Sequence, residues 1–263
     1  MHKKFNIFFI LFFLSINLIG SSYWQQKVKY KINISFDVNN NQFSGTEEIV
    51  YYNNSPDTLN KIFFHLYFNA FQPNSMMDIR SRNIIDPDRR VMDRIYNLGK
   101  DEIGYHRIKS LKQDENNLTY VIEGTILEVE LFEPIKPNDS SIFSLEFYSQ
   151  VPKQIRRSGR DNKEGIEYSM AQWFPKIAEY DRQGWHAHPY IAREFYAPWG
   201  NFDVSISINK KYVVAATGVL KSLEEYKNYN TWNFIANNVH DFVWAADPTL
   251  ETDNPTLTAG RIP

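Results

Sequence analysis

Between Val28 and Val38 the chain alternates without a break. Val28, Tyr30, Ile32, Ile34, Phe36 and Val38 are apolar, while Lys29, Lys31, Asn33, Ser35 and Asp37 are polar. Successive side chains of a strand point to opposite faces, so this run specifies one long strand with a dry face and a wet one. A helix would scatter the same residues around its axis. Asn39-Asn40-Asn41 breaks the run, and Gln42 to Tyr52 continues as an antiparallel partner. Such a hairpin needs a second layer over its dry face, because two strands alone are marginal in water.

The same period returns along the chain. Leu59 to Leu66 alternates through Ile62, Phe64 and Leu66, after a turn that contains Pro56. Further strands are expected at 105–111, 118–123, 125–132 and 141–151, and then at 202–208, 212–217, 232–236 and 242–246. About a dozen short strands separated by turn residues predict an all-β fold, a saddle-like antiparallel β-sandwich. Tyr67 to Asn97 departs from the pattern, with Pro73, Pro87 and many charges. It reads as a long loop excursion with one or two short helices. Asp88 to Asn97 is the best candidate, since Val91, Met92 and Ile95 share a helical face.

The composition, 43% hydrophobic and 23% charged, is that of a globular protein, and the formal charge of −2 argues against a nucleic-acid partner. The N-terminus stands apart. His2, Lys3 and Lys4 precede an almost wholly apolar run from Phe5 to Ile19, and small residues follow at Gly20, Ser21 and Ser22. This predicts a signal peptide over residues 1–22 and export to the periplasm or the extracellular space. The run is shorter than the roughly 20 residues that cross a bilayer, so no stable membrane span is expected. With no cysteine, neither disulfides nor a cysteine-linked lipid anchor are expected, and the core alone must hold the exported domain.

The segment from Gln172 to Ile206 packs Trp173, Trp185 and Trp199, three of the six tryptophans, into a stretch with little periodicity. Aromatics this dense either close a core or form a face that meets another domain. The pair His186 and His188 is the nearest thing to a metal motif, but no third ligand follows at a telling spacing, so both read as loop histidines. Neither His-Glu-x-x-His nor Gly-x-Ser-x-Gly occurs, and no glycine-rich phosphate loop is present. Glu164, with Glu167 or Glu194, would be a conceivable glycosidase pair, yet nothing in the sequence marks it. Lys153, Arg156, Arg157 and Arg160, around Ser158-Gly159, read as an exposed loop. On these residues alone the chain is a secreted β-sandwich module that binds a protein or a glycan.

Taken in order, several motifs resemble the N-terminal β domain of the aminopeptidase N family of zinc metallopeptidases, of the exported bacterial type. They are Phe43-Ser44-Gly45 on the hairpin return, Ile62-Phe63-Phe64-His65-Leu66, Gln172-Trp173-Phe174-Pro175, Gly184-Trp185-His186, Glu194-Phe195-Tyr196, Gly200-Asn201-Phe202-Asp203-Val204 and Asp241-Phe242-Val243-Trp244. The resemblance spans residues 23–248 as one domain and makes 249–263 the start of a linker toward a catalytic domain. It implies a non-catalytic domain that packs on a metallopeptidase domain and walls its peptide-binding cleft. Zinc is then expected in the full-length protein, on a helix outside this sequence, with no metal ligand and no catalytic residue here. The family's Thr-Gln-x-Glu stretch, which lines the substrate entrance, falls on Ala171-Gln172-Trp173-Phe174. Gln172 is thereby implicated in substrate binding, whereas Phe174 stands where an acidic residue is usual.

Overall fold

The computed structural model describes residues 23–191 and 196–251. The signal segment predicted over 1–22, Glu194, and residues 252–263 of the expected linker lie outside them. The long alternating run is one strand, Lys27–Asp37, and it pairs along its full length with Gln42–Tyr52. Together they form the centre of an eight-stranded sheet. Its order is Val219–Glu225, Tyr229–Val239, Gly200–Asn209, Lys27–Asp37, Gln42–Tyr52, Ser140–Gln150, Tyr105–Gln113 and Asn116–Asn117. Two four-stranded sheets cover it. One contains Leu59–His65 and Ile126–Ile135, the other Tyr168–Met170 and Trp244–Asp247.

The all-β sandwich holds, and among the described strand pairs one departs from an antiparallel arrangement. Lys27–Asp37 runs parallel to Gly200–Asn209. The hairpin neighbour takes one edge of Lys27–Asp37, and the other edge is filled by a strand from much later in the chain. Tyr30, Ile32, Phe43, Phe147, Phe202 and Val204 line the inner face, each at most 2% exposed. Burying one such side chain contributes about 1.5–3 kcal/mol, so this face dominates stability. Gly45 fits the layer because a Cβ there would stand 2.4 Å from the Phe147 ring.

The excursion after Leu66 builds a second, smaller core from Tyr67, Phe71, Met77, Val91, Ile95 and Tyr190, with Ala70 and Ile155. The expected helix over 88–97 is a series of turns instead. Val91 and Ile95 are buried as their spacing implies, but Met92 takes a φ of +41°, which no helix tolerates. The helix lies at Met76–Asn83, started by Ser75, whose hydroxyl accepts the Asp78 N–H. Its apolar residues carry no helical stripe: Met77 is buried while Met76 and Ile79 are exposed. The edge strand Val219–Glu225 also goes unpredicted. It buries little, so its sequence lacks alternation.

The basic run is structured rather than an exposed loop. Lys153 bridges to Arg160, Ile155 and Ser158 are buried, and Lys153 pairs with Glu102 at 3.0 Å. The Arg156 guanidinium lies over the Tyr190 ring. Among the described residues no helix is long and apolar enough to cross a membrane.

Candidate functional site

The aromatic segment splits into two halves with different environments. Its first half is core. The strand Tyr168–Met170 leads into Ala171, whose N–H donates to Ser158 Oγ. Gln172 then turns the chain at a φ of +56°, and Trp173 and Phe174 follow with no exposure. Trp173 Nε1 donates to the Phe242 carbonyl at 3.0 Å, and Phe174 packs edge-on against Tyr30 and Phe202. Lys176–Ile177 completes the turn by pairing with Phe64 and His65, while the Ile177 N–H donates to the Tyr30 phenol.

Several ionisable groups are buried along this half. Lys176 Nζ donates to the His240 carbonyl at 2.6 Å and lies 3.1 Å from Asp241 Oδ1. Burial lowers the lysine, and Asp241 partly offsets that. His65 pairs in register beside Lys176 and is held down to about 3 by burial and then by the Lys176 charge, so it is neutral. Glu47 points inward from its strand with neither carboxyl oxygen hydrogen-bonded, and burial raises it well above the usual range.

The second half opens outward. Tyr180–Asp181 and Gly184–Trp185 form a small hairpin, and Gly184 supplies its turn at a φ of +95°. Trp185 remains half-buried against Tyr51 and Phe63. Tyr196 and Trp199 are 46% and 48% exposed. Glu179 and Asp181, two residues apart, are driven in opposite directions. Burial, with the Asp181 charge, lifts Glu179 to about 7. Asp181 is also raised by burial, but contact with His186, the Gln183 N–H and the Tyr196 hydroxyl outweighs it and its net shift is downward. His186 Nε2 sits 2.8 Å from Asp181 Oδ1, at ion-pair distance but out of line for a hydrogen bond.

Gln172 is buried, and its Nε2 has no hydrogen-bond partner. Phe174, in the place of the acidic residue, belongs to the core. His186 and His188 pack ring against ring at 5.9 Å. Among the described residues no three histidine or acidic side chains converge as a metal site. Glu164 is exposed and Glu167 accepts the Tyr212 hydroxyl at 2.7 Å, which gives Glu167 a structural partner. Sequence reasoning missed Glu47, Lys176 and Glu179, and named Asp241 only as part of a motif. Of these only Glu47 carried a signal, because counting by two from Phe43 places it on the inner face.

No protein-family profile matches the chain, and no curated protein matches it. Among solved structures, the fold is similar to that of an M1 zinc metallopeptidase from Deinococcus radiodurans, with a TM-score of 0.51 and 13% identity over 84% of this chain. A mutant M1 zinc metallopeptidase from the same organism, bound to a Tyr-Ser-Ala substrate, gives 0.49 and 13%. At such identities the likeness is one of fold. The chain spans 42% of the length of each of these structures.

Proposed function

We propose that this chain is the N-terminal, non-catalytic β domain of an aminopeptidase N-like zinc metallopeptidase, exported from the cell, and that it walls one side of the peptide-binding cleft. The observation that carries this reading is the sandwich itself, which shares its fold with part of a zinc metallopeptidase over 84% of its own length. In support, the motifs that resemble the family lie on neighbouring elements: Trp173 is hydrogen-bonded to Phe242, and the segment that begins beside Trp173 goes on to the exposed rings of Tyr196 and Trp199.

Zinc is assigned to the catalytic domain, because the residues present here do not fit it. His186, His188 and Asp181 form no three-ligand set, and no step of peptide hydrolysis is routed through this chain. Its own part in binding falls to Gln172, which keeps an unpaired amide donor in a left-handed turn beside the aromatic core. The outer aromatic end then packs on the catalytic domain.

Two measurements test the reading. The gene downstream of codon 263 should stay in frame and encode His-Glu-x-x-His. The isolated chain should release no N-terminal residue from peptides in a chelator-sensitive way. A stop codon followed by an unrelated gene would favour a stand-alone secreted module for a protein or glycan ligand. Chelator-sensitive peptidase activity in the purified chain would sink the non-catalytic assignment.

A further inference from the structure

The interior holds ionisable groups that peptide binding leaves unused. Lys176 is fully buried, and its ammonium nitrogen stands 3.1 Å from Asp241 Oδ1 across 65 residues of sequence. The second oxygen of Asp241 is buried without a hydrogen-bond partner. Glu47, also without a partner on either oxygen, pairs in register with Ile32 and so lies diagonally beside Tyr30 on the same inner face. The Tyr30 phenol in turn accepts the N–H of Ile177, the residue after Lys176, and feels the charges of both Glu47 and Asp241. The Tyr30 ring packs on Phe174 and Phe202, and Phe242, the residue after Asp241, packs on Phe202.

An ion pair taken out of water is expensive to maintain, whereas an amide in the same place carries no charge. The core also fixes amine and carboxyl side by side, which replaces a bimolecular encounter by an intramolecular one. We propose that Lys176 and Asp241 condense in the folded protein to form a side-chain amide bond.

In this step a proton passes from the Lys176 ammonium to the Asp241 carboxylate, leaving a neutral amine and a neutral acid. Nζ attacks Cγ, forming the C–N bond, and the C–O bond breaks as the Asp241 hydroxyl gains a proton and departs as water, while Nζ gives up its second proton. Nothing is oxidised or reduced, and no co-reactant is consumed. Glu47, buried on the same inner face beside Tyr30 with both oxygens unpartnered, is the proton carrier of the step: as a neutral acid it gives a proton to the departing hydroxyl and recovers one from nitrogen. The product staples the turn at Lys176–Ile177 to the loop that precedes the strand Trp244–Asp247. A chain without cysteine thereby gains a covalent cross-link. The cross-link forms whether or not the chain belongs to a peptidase.

The test is the intact mass of the purified, denatured full chain, with its N-terminus determined. The expected mass is lower by one water than that of the linear polypeptide. Trypsin should then release Glu164–Arg182 and Asn228–Arg261 as a single branched peptide. Asp241→Asn should still link but lose ammonia instead of water, and Asp241→Ala should keep its full mass. Glu47→Gln should fold, judged by its circular dichroism, yet remain unlinked, while Glu47→Asp should link slowly. Wild-type protein at full linear mass, or a water loss with the two tryptic peptides separate, would overturn the bond. A Glu47→Gln protein that links at the wild-type rate would overturn the role of Glu47.

Discussion

At Gln172 a side chain that prefers solvent is buried, its amide nitrogen is unpaired, and its backbone sits in the left-handed region. Each of these features costs stability, and together they are tolerated where a residue serves a ligand. Gln172→Gly suits the φ of +56° and removes the side chain together with its amide. In the longer, active protein it should raise KM for peptides about fivefold, the worth of roughly 1 kcal/mol from one hydrogen bond, with kcat unchanged. An unaltered KM with altered thermal stability would make Gln172 purely structural. Glu179 supports a second prediction. Its folded carboxyl titrates at about 7 against an ordinary 4.5, so between those values the unfolded chain ionises first and stability falls as pH rises. Replacing it by glutamine removes that loss. Glu179→Gln should match wild type near pH 4 and exceed it by about 1–3 kcal/mol at pH 8 in urea titrations. A stability difference that does not change with pH would show that Glu179 is not held neutral.

Elements were legible where one face is wet and the other dry. The strand Lys27–Asp37 and its partner Gln42–Tyr52 could be read to within a residue or two, because every second side chain reports the same boundary between core and water. Legibility failed where that boundary is missing. Met76–Asn83 buries only Met77, Asp78 and Ser81, so its helix rests on the Ser75 cap rather than on an apolar stripe. Val91 and Ile95 are buried, yet the positive φ at Met92 separates them onto turns. The parallel pairing of Lys27–Asp37 with Gly200–Asn209 depends on contacts far apart in sequence, which no local period encodes. Within the site, Lys176 lies on a two-residue strand and Glu179 and Asp241 on irregular segments, where no period marks a side chain as buried. The central pairing itself can be tested at Gly45, where an added methyl meets the Phe147 ring. Gly45→Ala should cost about 1–3 kcal/mol as overpacking, and a compensating Phe147→Leu should recover part of that in the double variant. Strict additivity of the two changes would mean that the contact is not what excludes a side chain there.

For the whole molecule, the distribution of aromatic exposure decides how the sandwich meets other structures. Trp173 and Trp244 are at most 2% exposed, whereas Trp199 is 48% exposed at the N-terminal end of Gly200–Asn209, with Tyr196 close by in sequence. Neighbouring exposed rings of this kind mark a contact surface more often than a solvated one. The rings are also anchored from behind: His240, which carries the carbonyl that holds Lys176, packs edge-on against Trp199 at 5.9 Å. A partner that covers Trp199 would therefore bear on the same loop that leads into Trp244–Asp247. If the partner is a catalytic domain in the same polypeptide, Trp199 should be quenched by acrylamide in the isolated chain and shielded in the longer protein. Trp199→Phe supplies the control, since it removes the most exposed of the described tryptophans while leaving an aromatic ring. Equal quenching of Trp199 in the two proteins would leave this end of the sandwich facing water and would place the contact with any catalytic domain on another face.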